Sequence, residues 1–293
     1  MSQNDGSRAA CLLPAVLAAS LALSGCLPAA ADERSSPPPK RKIVAVGDIG
    51  DDSPLPHFQD ETAQLVARID PKLVLALGDN AYPGGTLADF RANYDPWWGG
   101  FKSKTRPVPG NHEQVDYDRG YNAYFGPGRR NYSYDLGNWH LIALDTNLGD
   151  SSALGFLRRD LAETRKPCLL MYLHHPLYTS GSAYTGGIEG VKPLYQAFRA
   201  RGGDLVLTAH EHNYERFAKQ SPGNRADRHG YRQIVAGSGG QDLRGFTTAA
   251  PNSQVRISQH GVTRVVLKPS SYKADFIGVW GARDSVPRTA CNR

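Results

Sequence analysis

Leu73-Val74-Leu75-Ala76-Leu77-Gly78-Asp79-Asn80-Ala81-Tyr82 is the stretch whose reading decides the fold. Five apolar residues closed by a glycine have the length of a strand buried on both faces, not of a helix. Such strands belong to sheets with other layers packed over them. The carboxylate of Asp79 and the phenol of Tyr82 then stand three residues apart where the strand ends. An aspartate there can bridge two cations with its two oxygens. A tyrosine close behind can bind one of them as phenolate.

Working outward, the same alternation of apolar strand, loop and helix repeats. Residues 43–46 form a short buried strand. Residues 61–69 form a helix with Leu65, Val66 and Ile69 on one face, acids at its start and Arg68 near its end, and Pro71 stops it. Thr86-Leu87-Ala88-Asp89 is a capping box opening a helix into the aromatic region 90–98. Residues 106–109 lead to a third strand end. Gly137-Asn138 sits between Tyr132–Leu136 and Trp139–Leu144, a hairpin signal. Ser152–Glu163 is helical, with Leu154, Leu157 and Leu161 on one stripe, and 194–200 is a helix ended by Gly202-Gly203. Strands over 169–173, 205–207, 233–236, 262–267 and 274–279 complete the set. Helices alternate with strands early and strands cluster late. The expectation is an α/β (α+β) fold, a four-layer αββα sandwich of two mixed sheets flanked by helices, in one domain over 41–293.

Of 293 residues, 40% are hydrophobic and 21% charged, which excludes a disordered chain. The formal net charge of +6 favours acidic partners. The basic residues are scattered, however, and there is no nucleic-acid-binding motif. Residues 9–25, preceded by Arg8 and closed by small residues, have the layout of a secretory signal. They are shorter than the ~20 residues of a spanning helix. Leu23-Ser24-Gly25-Cys26 resembles a bacterial lipobox, which makes Cys26 the lipidated first residue of a membrane-anchored lipoprotein, periplasmic or on the cell surface. The alternative is a soluble secreted protein cut after Ala31. Residues 26–40, with Ser35-Ser36-Pro37-Pro38-Pro39, read as an extended tether. Cys168 and Cys291 could pair in an oxidising compartment, and Cys168 equally suits a buried free thiol. There is no C-x-x-C.

Five strand candidates end in residues able to bind metals: Asp48; Asp79 and Tyr82; Asn111-His112; His174-His175; and His210-Glu211-His212. In open α/β sheets ligands bind beyond the carboxyl ends of strands, so these residues can converge. Gly47-Asp48-Ile49-Gly50, Gly78-Asp79-Asn80-Ala81-Tyr82, Gly110-Asn111-His112-Glu113, His174 before Pro176, and His210-Glu211-His212 resemble the five blocks of the calcineurin-like metallophosphoesterases, and within them the purple acid phosphatases. Many relatives have Asp-x-His in the first block; here that position is Gly50, and Tyr82 occupies the place of the phosphatases' phenolate.

The resemblance implies that Asp48, Asp79, Tyr82 and His212 hold Fe(III), while Asp79, Asn111, His174 and His210 hold Fe(II), Zn(II) or Mn(II). Asp48, Asp79 and a phenolate sum to −3, which leaves +2 against one trivalent and one divalent cation. A free phenol, with a pKa of about 10, needs such a cation to ionise near neutrality. Tyr82 as a packed aromatic beside two divalent ions is the other possibility. The resemblance further implies a metal-activated hydroxide attacking a phosphate monoester, with Asn111, His112 and His175 as phosphate contacts and His112 as the proton donor. Many purple acid phosphatases carry a further His after the His-x-Pro block; the 181–187 loop here has only Tyr184 among bulky residues. A phosphodiesterase or nucleotidase on the same centre, and a non-catalytic lipoprotein that captures phosphate or metal, are the rival readings. Gly237-Ser238-Gly239-Gly240 reads as a turn, and His57, His140, His229 and His260 as structural or surface residues.

Overall fold

The computed structural model describes residues 41–53, 58–147 and 152–293. The chain runs β1 (Arg41–Val46), α1 (Gln59–Ile69), β2 (Leu73–Leu77), β3 (Thr105–Val108), β4 (Tyr132–Leu136), β5 (Trp139–Leu144), α2 (Ser152–Glu163), β6 (Cys168–Leu173) and α3 (Lys192–Ala200). It continues through β7 (Leu205–Thr208), β8 (Tyr214–Gln220), β9 (Tyr231–Ala236), β10 (Ser253–Ile257), β11 (Gly261–Lys268), β12 (Ser271–Gly278) and β13 (Arg283–Ala290). One sheet has the order β13-β12-β11-β1-β2-β3, the other β10-β8-β9-β7-β6-β5-β4. β1, β2 and β3 are parallel neighbours, as are β5, β6, β7 and β9; the outer strands of each sheet pair antiparallel.

Successive side chains of a strand point to opposite faces, and here both faces are covered. Ile43, Ala45, Leu73, Leu75 and Leu77 of the first sheet meet Leu141, Leu170, Leu205 and Leu207 of the second in one core. Val44, Val46, Val74 and Ala76 point the other way, beneath Leu65 and Val66 of α1 and the rings of Phe90, Tyr94 and Trp98. Ile142, Leu169, Met171 and Val206 lie beneath Leu157 and Leu161 of α2 and Leu194 and Phe198 of α3. The result is two mixed sheets flanked by helices, as expected.

Three strands were not expected from the sequence: β8, β10 and β13. β8 carries Glu215, Arg216 and Lys219 and reads as polar, yet its pairing with β9 and β10 supplies the partners its backbone needs. β13 is a largely exposed edge containing Pro287, and an edge is where a sheet tolerates a residue without an N–H. The Thr86–Asp89 capping box forms, and the helical turns it opens continue to Lys104 rather than ending at 98.

Cys168 opens β6 and is disulfide-bonded to Cys291, just beyond β13, so the bond ties one sheet to the terminal strand of the other across 123 residues. The signal at 1–25, Cys26, the tether to residue 40 and His57 lie outside the described residues. No described helix is long and apolar enough to cross a membrane.

Candidate metal centre

The first three blocks leave one sheet and the last two leave the other. β1, β2 and β3 end in Asp48, Asp79 and Asn111, while β6 and β7, of the second sheet, end in His174 and His210. The residues thus converge beyond the carboxyl ends of strands, and they do so across the seam between two sheets.

β1, β2 and β7 share one local device. Each is followed by a small residue, Gly47, Gly78 or Ala209, and then by a side chain on left-handed backbone: Asp48 at φ 54°, Asp79 at φ 47°, His210 at φ 72°. Such conformations cost of order 1–3 kcal/mol for a non-glycine residue and persist where the surroundings impose them. Here the surroundings are backbone pairing that runs on past the strands. Asp48 N–H donates to Gly78 O (3.1 Å), Ile49 N–H to Asp79 O (2.9 Å) and Gly50 N–H to Asn80 O (2.9 Å), and Tyr82 N–H returns to Gly50 O (2.8 Å). Gly50 thus holds the two loops together where many relatives carry a histidine, and a Cβ there would lie 2.5 Å from Asn80 O.

Each buried carboxylate commits one oxygen to backbone and turns the other inward. Asp48 Oδ2 accepts from His210 N–H (2.9 Å), and Asp79 Oδ1 from His112 N–H (2.9 Å). The Tyr82 hydroxyl lies 3.2 Å from Asp48 Oδ1, 3.2 Å from Asp79 Oδ2 and 3.2 Å from His212 Nε2. His174 Nε2 lies 3.2 Å from the same Asp79 Oδ2, 3.2 Å from Asn111 Oδ1 and 3.1 Å from His210 Nδ1. Two quartets of oxygen and nitrogen donors therefore share one atom, Asp79 Oδ2. Main-chain carbonyls orient two of the rings: His174 Nδ1 meets Leu77 O (2.9 Å) and His212 Nδ1 meets Asp242 O (2.8 Å), leaving both Nε2 atoms facing the centre.

With those Nδ1 atoms as donors, neutral imidazoles present lone pairs to carboxylate, amide and phenol oxygens. Such a cluster needs cations or protons to hold it. With protons alone the balance is awkward. Burial pushes the Asp48 carboxyl up to about 8. Burial also works against charge on His174, yet the Asp79 carboxylate beside it outweighs this and raises the imidazole to about 9. Burial and the Arg244 charge lower His212 to about 4, and burial with Asp79 and Asp48 drives the Tyr82 phenol well above its ordinary value. A phenolate at Tyr82 thus requires a cation. Oxygen and imidazole donors in this number suit iron, zinc or manganese, so the residues fit a pair of such ions.

The remaining site candidates lie beside the quartets. The side chain of His112 is 35% exposed, its Nδ1 bonded to Pro83 O (2.6 Å) and its Nε2 3.9 Å from Asp79 Oδ2. His175 is buried, its Nδ1 on Thr146 Oγ1 (2.9 Å) and its ring packed against His210 at 4.5 Å. Burial and the neighbouring His174 lower it to about 3. Of the histidines set aside, His140 bonds both Asp135 and Asp160, and His260 stacks on Phe58.

Sequence reasoning missed four participants. Glu113 stands inside the third block, and its carboxylate bonds backbone rather than joining the metal donors. It accepts Gly110 N–H (2.7 Å), Asn80 N–H (2.7 Å) and Ala81 N–H (3.2 Å), joining the loops after β2 and β3. Glu211 accepts Ala183 N–H and Tyr184 N–H, each at 3.0 Å, which holds the Tyr184 ring stacked on His210 at 3.9 Å. Gly237 is more than a turn residue, because a Cβ there would lie 2.2 Å from Asp48 Oδ2. Arg244 donates to His210 O (2.9 Å). The two glutamates had a signal, their place within the blocks; Gly237 and Arg244 had none.

Human acid phosphatase type 7 is 29% identical over a 274-residue alignment, covering 76% of this chain and 61% of that protein. Purple acid phosphatase 18 of Arabidopsis thaliana is 31% identical over 116 residues, 37% of this chain and 26% of that one. The chain thus spans about three-fifths of the length of the human relative. The purple acid phosphatase PPD1 from yellow lupin (Lupinus luteus) seeds shares the fold with a TM-score of 0.66 at 20% identity, covering 84% of this chain and 53% of that one. GAP50, the anchor in the inner membrane complex of Plasmodium, does so with a TM-score of 0.65 at 15% identity, covering 87% and 90%. The model of the family described as calcineurin-like phosphoesterase matches residues 41–214, more than half of the chain, and the chain belongs to that family.

Proposed function

We propose that this chain is an exported phosphatase that hydrolyses phosphate monoesters at a two-metal centre of the purple acid phosphatase kind. The observation that carries the reading is the single oxygen, Asp79 Oδ2, shared by two donor quartets. In this reading Asp48, Asp79, Tyr82 and His212 hold Fe(III), and Asp79, Asn111, His174 and His210 hold Fe(II), Zn(II) or Mn(II). Bound there, the cations supply positive charge for phosphate oxygens and acidify a water.

The rest falls to the chain's own groups. Buried Asp48 and Asp79, each with one oxygen anchored to backbone, keep the donors in place without side-chain reorganisation. Asn111 adds a neutral oxygen, which keeps the second position from becoming too anionic to receive a phosphate. His112 is the proton donor to the departing alkoxide, being the accessible histidine of the pair; buried His175, packed against His210, is the further phosphate contact in this reading. Export draws support from the Cys168–Cys291 disulfide, which suits an oxidising compartment, and from the signal-like residues 9–25. Lipidation at Cys26 is the proposed anchor, with 26–40 as tether and 41–293 as catalytic domain.

The test is metal analysis with a visible spectrum on protein starting at Leu27, followed by monoester and diester turnover on the same sample. Iron with a phenolate charge-transfer band and preferred monoester turnover is the expected result. Colourless, iron-free but active protein moves the centre to two divalent ions. Preferred diester turnover makes it a phosphodiesterase, and bound metal without turnover makes it a capture protein. Removing the metal with chelator should abolish activity, and adding iron with zinc should restore it.

A further inference from the structure

Arg244 is a fixed cation at the edge of the metal centre with no role yet assigned. Its backbone N–H donates to His212 O (2.9 Å) and its guanidinium to His210 O (2.9 Å), so it is fastened to the segment that carries two donor imidazoles. The guanidinium carbon lies 5.5 Å from the centre of the Tyr184 ring, and that ring stacks on His210 at 3.9 Å. Glu211 holds Tyr184 in turn through two backbone N–H groups.

Two features separate this arginine from an ordinary surface cation. Among the described residues it has no carboxylate partner, whereas Arg199, Arg216 and Arg264 are each paired with an aspartate. A guanidinium has five N–H donors, and among the described residues His210 O is the acceptor for one of them. Its charge is also felt by Asp48, Tyr82, His210 and His212, so it sits within electrostatic range of those four side chains. The residue is partly buried.

Resting on the phosphatase reading above, the geometry points to Arg244 as a substrate-binding and specificity residue that takes a terminal phosphate oxygen and thereby favours monoesters over diesters. The chemistry is that of charge and acceptor count. A phosphate monoester carries nearly two negative charges near neutrality and three terminal oxygens. A diester carries one charge and two terminal oxygens. A guanidinium already held by a carbonyl and an aromatic face can offer its remaining donors with little further ordering, and it recognises phosphate better than an ammonium does.

The experiment compares full-length wild type with R244Q and R244K. Gln keeps a donor for His210 O but removes the charge; Lys keeps the charge but not the fork. Inorganic phosphate is titrated by calorimetry, metal content is measured, and kcat and KM are determined for an aryl phosphate monoester and the bis-aryl diester with the same leaving group. R244Q should retain both metals and weaken phosphate binding about 10- to 100-fold, the range of a charge-assisted hydrogen bond. It should raise KM for the monoester by a similar factor while diester kcat/KM falls several-fold less, and R244K should recover part of the loss. Unchanged phosphate affinity overturns the proposal. So does an equal loss on both esters, or a loss that tracks missing metal, since each makes the arginine a support for His210 alone. If wild type holds metal and turns over neither ester, the phosphatase reading fails, and the calorimetry still decides whether Arg244 binds phosphate.

Discussion

His112 shows how a single residue can sit beside two donor quartets without belonging to either. Its backbone N–H is tied to Asp79 Oδ1 and its Nδ1 to a carbonyl, which turns the ring to face Tyr82 at 4.3 Å and leaves the side chain partly open to solvent. Truncation leaves the backbone anchor of Asp79 intact, because that anchor is main chain. His112→Ala should therefore keep both metals and lower kcat by about 10²- to 10⁴-fold, the usual contribution of general acid catalysis. The loss should be smaller on esters whose leaving group is already a weak base. Metal analysis beside kcat decides: if metal leaves with activity, the residue is structural.

At the scale of elements, the loops beyond β2 and β3 depend on one buried carboxylate. Glu113 receives three buried backbone N–H groups, and burial raises it to about 7. Glu113→Ala strands those donors. At about 1–3 kcal/mol for each unsatisfied buried group, the variant should lose at least ~3 kcal/mol of stability. Glu113→Gln, which keeps one good acceptor oxygen, should lose less. Denaturant unfolding of the metal-free proteins measures this directly; equal stabilities would mean that water replaces the carboxylate. The left-handed turns at Asp48, Asp79 and His210 belong to the same scale, since their strain is carried by the pairing of neighbouring loops and not by any one side chain.

Across the whole molecule, His140 joins the outer face of a sheet to the helix layer above it. From β5 it donates to Asp135 of β4 (2.8 Å) and Asp160 of α2 (2.8 Å), and although burial opposes its charge, those two carboxylates raise its pKa. A histidine raised on folding adds stability that is complete below its unfolded value of about 6.5 and fades as pH climbs through the folded value. Asp135 moves the other way: burial opposes its charge, but its bonds to His140 and Lys166 lower it, so its share fades in acid. The Tm difference between wild type and His140→Gln should be widest near pH 5–6 and narrow toward pH 8. A difference that does not change with pH would mean that the ring packs there without its charge.

Local pattern was enough for the strands that bury both faces, for α1, α2 and α3, for the 137–138 turn and for the capping box, because each is written in apolar period or in the chemistry of a few adjacent residues. The five donor blocks were legible for the same reason: chemistry-bearing residues stand immediately after apolar runs. What the sequence could not decide is whatever depends on a distant partner. Strands β8, β10 and β13 exist because neighbouring strands offer hydrogen bonds, and the Cys168–Cys291 bond exists because 123 residues fold back to bring two cysteines together. Only tertiary structure decided that the donors come from two sheets, that Asp79 Oδ2 is the atom they share, and that Gly237 and Arg244 adjoin them. Proximity across a seam between sheets leaves no period and no spacing in the chain, since the contacts are set by how the layers stack.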